Sequence, residues 1–305
     1  MKVLITSGGG AKGAFSVGAL QHLLGPGGID FFDLVSGTST GSLIAAMVTA
    51  GKMDTLTNVY LNTQNTDILK PANIVTSLTE GKPYVYDTEP LLKQVETHVD
   101  DDAYVTIMNG PTTLCLNSVC LDTGRLTVFS NREILPDRHY DRIIMDNRDL
   151  MIRGLLGSSN QAVFMKPVEI NGRSYVDGGN KEVVPSRAVV SNLDNDPEHE
   201  IYVLSNNPNE LVASSTGFGD ILKVLMRAIS IFIQEVREND LEVLITSKKI
   251  SPSKIRIFYI CPDEELDEDY PTGLRFSKVK MMGWMRLGKT KARQVLTDYP
   301  EGNLG

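Results

Sequence analysis

The pentapeptide Gly37-Thr38-Ser39-Thr40-Gly41 constrains the fold more than any other part of this chain. The apolar run Phe31-Phe32-Asp33-Leu34-Val35 precedes it and Leu43-Ile44-Ala45-Ala46-Met47-Val48 follows. Such a succession reads as strand, tight turn and helix. Glycines two residues to either side of Ser39 remove the Cβ atoms that would clash in so sharp a bend. The helix that begins after Ser39 aims its first amides and the positive end of its dipole at the serine. The pattern is that of a nucleophile elbow, with Ser39 as candidate nucleophile and Gly37 and Gly41 as its supports. Ser36 and Ser42 lack glycines at both flanking positions. The competing reading is a glycine- and serine-rich loop that only turns the chain.

A nucleophilic serine needs an oxyanion hole and a base. Lys2-Val3-Leu4-Ile5-Thr6-Ser7 reads as a buried strand, Gly8-Gly9-Gly10-Ala11-Lys12-Gly13 as a loop, and the residues to about Leu24 as a helix. Consecutive glycines let backbone amides converge on an anion without side chains in the way. Gly8, Gly10 and Gly13 also match the dinucleotide pattern G-x-G-x-x-G. That reading requires an acidic residue at the end of the second strand, and Asp33 lies inside it. No Gly-Lys-Ser or Gly-Lys-Thr follows, so the phosphate-loop pattern fails.

The chain has four histidines, His22, His98, His139 and His199. His22 reads as a half-buried helix residue, and His98 and His139 as solvated. His199 lies in the acidic turn Asn195–Glu200 and is the histidine that a Ser-Asp-His order would use. Asp177 is the better base. It ends the run Arg173-Ser174-Tyr175-Val176-Asp177, with Gly178-Gly179 after it and a hairpin signal at Asn171-Gly172. Asp-Gly pairs often mark only a turn. A buried carboxylate, however, has a raised pKa and accepts a hydroxyl proton near neutrality.

Gly8–Gly13, then Gly37–Gly41, then Asp177-Gly178-Gly179 resemble, in that order, the motifs of the patatin-like phospholipases. Gly154–Ser159 with Ala162-Val163-Phe164 and Pro167, and Arg227–Leu241, resemble further parts of that family. The resemblance implies a layered α/β fold with a central, mostly parallel sheet flanked by helices. It implies a Ser39–Asp177 dyad with Gly8, Gly9, Gly10, Ala11, Lys12 and Gly13 as the oxyanion loop, cleaving acyl esters of phospholipids or lysophospholipids without a cofactor or metal. Acyl transfer to another acceptor, thioester hydrolysis, or binding of a lipid or nucleotide without catalysis are the alternatives. Lys12 stands where many relatives carry arginine; Gln161-Ala162 and Asn180-Lys181 are further departures.

Three motifs spanning residues 8–179 must meet in space, and no linker or repeat interrupts the 305 residues, so one domain is expected. Ile255–Ile260 reads as a strand extending the same sheet. Cys115, Cys120 and Cys261 are few and odd in number, which disfavours a disulfide framework. No secretory signal or membrane span is read, which favours a cytoplasmic, at most peripheral, protein. The net charge of −8 disfavours nucleic acid and general attraction to anionic membranes. Two segments could still touch lipid: Tyr60–Tyr86, and Lys278–Arg286 with its methionines and Trp284 among cations. Methionine and tryptophan at helical spacing are more often core. The apolar helix around Ile221–Val236 reads as amphipathic and packed, and the acidic run Asp263–Asp269 as a solvated loop.

Overall fold

The computed structural model describes residues 1–71, 81, 84–211, 219, 221–251, 253–267 and 273–305. Parts of the Tyr60–Tyr86 segment and the end of the acidic run lie outside the described residues. Strand β1 (Lys2–Thr6) leads through a single 3-10 turn (Gly10–Gly13) into helix α1 (Ala14–Leu23). Then come β2 (Leu34–Thr38), α2 (Thr40–Thr49), α3 (Met53–Asn62), α4 (Glu89–His98) and α5 (Asp101–Asn109). The middle of the chain holds β3 (Thr113–Cys120), β4 (Arg125–Ser130), β5 (Tyr140–Ile144), α6 (Arg148–Ser159), β6 (Val168–Ile170) and β7 (Arg173–Asp177). It ends with α7 (Arg187–Ser191), β8 (Glu198–Leu204), α8 (Ile221–Ile250), β9 (Lys254–Ile260) and α9 (Lys278–Asp298).

These strands form one sheet in the order β9-β8-β1-β2-β3-β4-β5, with β9, β8, β1, β2 and β3 mutually parallel. Both faces are covered, so β1 reads as an unbroken apolar run. Its alternation still sorts the side chains: Leu4 packs into the core shared with α1 and α2, Val3 and Ile5 into the core shared with α8. Ile255–Ile260 joins the same sheet, as expected, as β9 at its edge.

Two expectations are corrected, and one pair of readings is decided. The second strand begins at Leu34 instead of Phe31, because Asp33 accepts the Lys2 amide at 2.6 Å and closes the approach to the sheet. For Lys278–Arg286 the core reading holds over the lipid one: Met281, Trp284 and Met285 are buried. Here α9 meets α1 backbone to backbone. A Cβ on Gly18 would stand 1.9 Å from the Met285 carbonyl oxygen, and one on Gly288 1.9 Å from that of Phe15. The helix around Ile221–Val236 is not fully packed. Val224, Leu225, Ile231 and Phe232 of α8 are 47–67% exposed, whereas Leu241 and Leu244, further along, are buried. Among the described residues, no helix is long and apolar enough to cross a membrane.

Candidate active site

Strands β2 and β7 run toward one another along the same edge of β3. Thr38, the last residue of β2, lies opposite Asn117, and Asp177, the last of β7, lies opposite the next residue, Ser118. The chain ends of the two motifs therefore meet at one point, although 138 residues separate Ser39 from Asp177 (177 − 39).

Ser39 takes φ 59° and ψ −133°, a conformation strained for any residue with a side chain. The surroundings hold it there. Its carbonyl accepts the Ser42 hydroxyl at 2.6 Å, and its amide donates to Ser158 Oγ at 3.2 Å. Ser158 in turn donates to the Asn117 carbonyl at 2.6 Å, and Thr38 Oγ1 to the Glu182 carbonyl at 3.0 Å. The elbow glycines are required by contact: a Cβ on Gly37 would stand 2.4 Å from the Gly41 carbonyl oxygen, and one on Gly41 2.2 Å from that of Thr6.

The Ser39 hydroxyl faces the Asp177 carboxylate and favours its charged form, and the Gly179 amide donates to Asp177 Oδ1 at 2.7 Å. Burial pushes the Asp177 pKa up to about 6; Ser39 and the Gly179 amide pull the other way and lose. Gly178 is needed because a Cβ there would stand 2.3 Å from the Asn117 carbonyl oxygen. The hairpin feeding this turn is the expected one, with Asn171 and Gly172 both at positive φ.

The glycine loop lies directly against the elbow, where a Cβ on Gly8 would stand 3.0 Å from that of Ser39. Its six residues are not equivalent. The Ala11 amide donates to the Gly273 carbonyl at 2.8 Å and the Lys12 amide to the Gly9 carbonyl at 3.1 Å. Gly13 lies in the 3-10 turn. Among the described residues, the amides of Gly8, Gly9 and Gly10 donate to nothing. Asn206 anchors the loop from β8: its Nδ2 donates to the Ser7 and Gly8 carbonyls at 3.1 and 3.3 Å, and Ser16 donates to its Oδ1 at 2.7 Å. The Lys12 ammonium is buried and turned to Asn207 Oδ1 and, at 3.0 Å, to Glu265 Oε1. Burial lowers its pKa, with Glu265 opposing.

Ser39 stands between two cavities. One, of about 110 Å³, is almost wholly apolar, lined by Leu43, Met47, Leu56, Val95 and Met165. The other, of about 530 Å³, contains Asp177, the Gly8-Gly9 backbone, Lys12, Arg237 and, at α8, Phe232.

The histidines stand apart from this chemistry. His199 lies in β8 and not in a turn, buried at the start of the strand, with Nδ1 3.9 Å from Asp194. That is the opposite end of the parallel strands from Ser39. His98 is half-buried at the rim of the apolar cavity instead of solvated, while His139 is exposed. Asp33 also lies at the far end of β2 from the glycine loop, out of place for a ribose. Sequence reasoning did not find Asn117, Ser158, Glu182, Asn206, Arg237, Asp240, Glu265 or Gly273. Ser158 lies within a stretch carried by the family resemblance, and Arg237 and Asp240 in another; Glu265 lies in the acidic run expected as a solvated loop, where Glu265 instead pairs with Lys12 and Asp267 is buried, and the rest carried no local signal.

A model of the family described as patatin-like phospholipase matches residues 4–210. No curated protein sequence matches the chain. Among solved structures, VipD from Legionella pneumophila is similar over 98% of this chain and 67% of its own, at 14% identity and a TM-score of 0.45. The type III effector protein ExoU is similar over 97% of this chain and 52% of its own, at 13% identity and a TM-score of 0.44. ExoU comes from Pseudomonas aeruginosa. This chain spans about half of that ExoU chain.

Proposed function

The chain belongs to the patatin-like phospholipase family of lipid-hydrolysing enzymes, and from that premise we propose that it cleaves fatty-acyl esters of phospholipids or lysophospholipids through a Ser39–Asp177 dyad. The observation that supports this reading is a buried carboxylate, Asp177, with a pKa of about 6, set beside Ser39 on the wall of one cavity. Such a carboxylate is ionised at neutral pH and basic enough to take a hydroxyl proton.

In the first step Ser39 Oγ attacks the ester carbonyl while its proton passes to Asp177. The carbonyl oxygen becomes an oxyanion, and the amides of Gly8, Gly9 and Gly10 are the donors best placed to receive it. Collapse of the tetrahedral intermediate expels the alcohol, which takes the proton back from Asp177, and leaves an acyl-Ser39 ester. Water then gives a proton to Asp177 and attacks that ester; the fatty acid leaves and Ser39 is protonated again. The narrow apolar cavity beside Ser39 suits the acyl chain, and the larger one the remainder of the lipid.

The contact with a lipid surface is better assigned to the exposed apolar side chains of α8, at the larger cavity, than to α9. The sheet that joins β1 to β9 supports reading residues 1–305 as one domain. The experiment is fatty-acid release from a mixed phospholipid and lysophospholipid suspension, read by mass spectrometry, with Ser39→Ala in parallel. Release by the wild type alone is expected. Equal release by both proteins would remove Ser39 from the mechanism.

A further inference from the structure

The larger cavity carries charges that ester cleavage does not use. Lys12 and Arg237 both line it, and each is only 1% exposed. Lys12 is matched by Glu265, which lines the same cavity. Asp267, buried close by, is matched by Lys280 at 2.7 Å. Arg237 has no such match: among the described residues no carboxylate pairs with it. Its Nη2 donates to the Asn209 carbonyl at 2.8 Å and to Gln234 Oε1, and its Nε donates to nothing.

A buried ion without a counter-ion is costly, so a guanidinium kept this way on a cavity wall calls for an anion. Both hydrogens of Nη2 go to Asn209 and Gln234, which leaves the N–H groups of Nη1 and Nε for anionic oxygen. The neighbouring Lys12 ammonium already donates to an anionic oxygen, that of Glu265, at 3.0 Å. Ser39 and Asp177 open into the same space. We propose that Arg237, together with Lys12, binds the phosphoryl group of an acylated lipid, and that Glu265 is the internal counter-ion this group displaces from Lys12. The lipid as source of the phosphoryl group rests on the proposed function; the anion site does not. Until an anion enters, Glu265 holds the ammonium, so lipids without phosphate gain nothing from this wall.

The test is calorimetric titration with two octyl glycerol ethers, one phosphorylated and one not, below their micelle-forming concentrations. Ethers are not hydrolysed, so binding is read whether or not the protein turns over esters. Loss of the proposed function would show instead as Ser39-independent fatty-acid release. The wild type is expected to prefer the ether phosphate. Arg237→Gln should weaken that ligand about tenfold, the order of a hydrogen bond to a charged group, and leave the plain ether within about twofold. Glu265→Gln should strengthen binding of the ether phosphate, because no charge has to be displaced. Glu265→Gln and Arg237→Lys, which keeps the charge and loses the planar guanidinium donors, remain informative if Arg237→Gln does not fold. Equal affinity of the wild type for both ethers, or no gain in Glu265→Gln, would overturn the proposal. Inorganic phosphate is the third ligand: binding as tight as that of the ether phosphate would assign the site to free phosphate and remove the lipid.

Discussion

Glu182 and Asp240 share one guanidinium: Arg187 Nη1 lies 3.1 Å from the carboxylate of the first and 3.3 Å from that of the second. Neither carboxylate touches Ser39 or Asp177, yet both hold the turn that follows Asp177. Asp240 Oδ2 accepts the amides of Val183 and Val184 at 2.7 and 3.0 Å, tying α8 to that turn. Glu182 accepts from the Asn117 side chain through its carboxylate and from Thr38 through its carbonyl. Burial raises both pKa values, with the Glu182 charge adding to the shift of Asp240, against the pull of Arg187 and the bonded amides. The pair therefore holds a proton at a pH where two free carboxylates would hold none.

This pair makes folding stability fall with rising pH. A carboxylate whose pKa is raised in the folded state binds more protons there than when unfolded, so stability drops between the unfolded and folded pKa values. The folded value for Asp240 is about 8. The melting temperature should decline with rising pH up to about pH 8 and level off above it, and Asp240→Asn should flatten that decline. Equal slopes in thermal melts of the two proteins would exclude the pair as the cause.

Under the proposed dyad, Asp177 should set the pH dependence of turnover. With its pKa at about 6, the base is ionised above that value and protonated below it. The rate of ester cleavage should rise through about pH 6 and level off near neutrality. A rate constant from pH 4 to pH 8 would rule out a carboxylate with this pKa as the base.

Replacing Asp177 should separate stability from activity. The raised pKa means that its ionised form destabilises the fold, by about 3 kcal/mol at neutral pH for a shift from 3.8 to about 6. Asparagine keeps an oxygen for the Gly179 amide and has no charge to desolvate. Asp177→Asn should melt higher than the wild type at neutral pH, with turnover reduced at least about a hundredfold. Denaturation and ester hydrolysis measured on one preparation decide this; a destabilised Asp177→Asn would show that the carboxylate is structural.

The exposed face of α8 should govern attachment to lipid. Ile231→Asp with Phe232→Asp should lower co-sedimentation with zwitterionic vesicles several-fold and leave hydrolysis of a soluble short-chain ester nearly unchanged. Unaltered sedimentation would move the contact to another surface.

The elbow, the glycine loop and the aspartate turn were legible because each is a local pattern with a local steric reason. Gly37, Gly41 and Gly178 are glycines because a Cβ would strike backbone. Asp177 was already the better base on its own residues, and the family resemblance paired it with Ser39; the cause of their meeting, two strands converging on one edge of β3, is a matter of register that no local pattern expresses. Asp240 had no signal of its own, since its partner Arg187 lies 53 residues away, and Glu182 gains its place at the site through Asn117, 65 residues away. The burial of Trp284 follows the commoner reading of its helix, whereas the exposure of Phe232 departs from the packed helix expected. What decides them is which helix finds a backbone-close partner, as α9 finds α1 through Gly18 and Gly288.

The contact between Gly10 and Gly273 has a consequence for biosynthesis. The Gly273 carbonyl takes the Ala11 amide, and a Cβ on Gly10 would stand 2.3 Å from that carbonyl oxygen. A ribosome has made both Ser39 and Asp177 long before it makes the glycine that braces the loop beside them. The nascent chain thus carries both groups before the residue that braces the glycine loop has been made, and under the proposed mechanism the loop is complete only once Gly273 has been added.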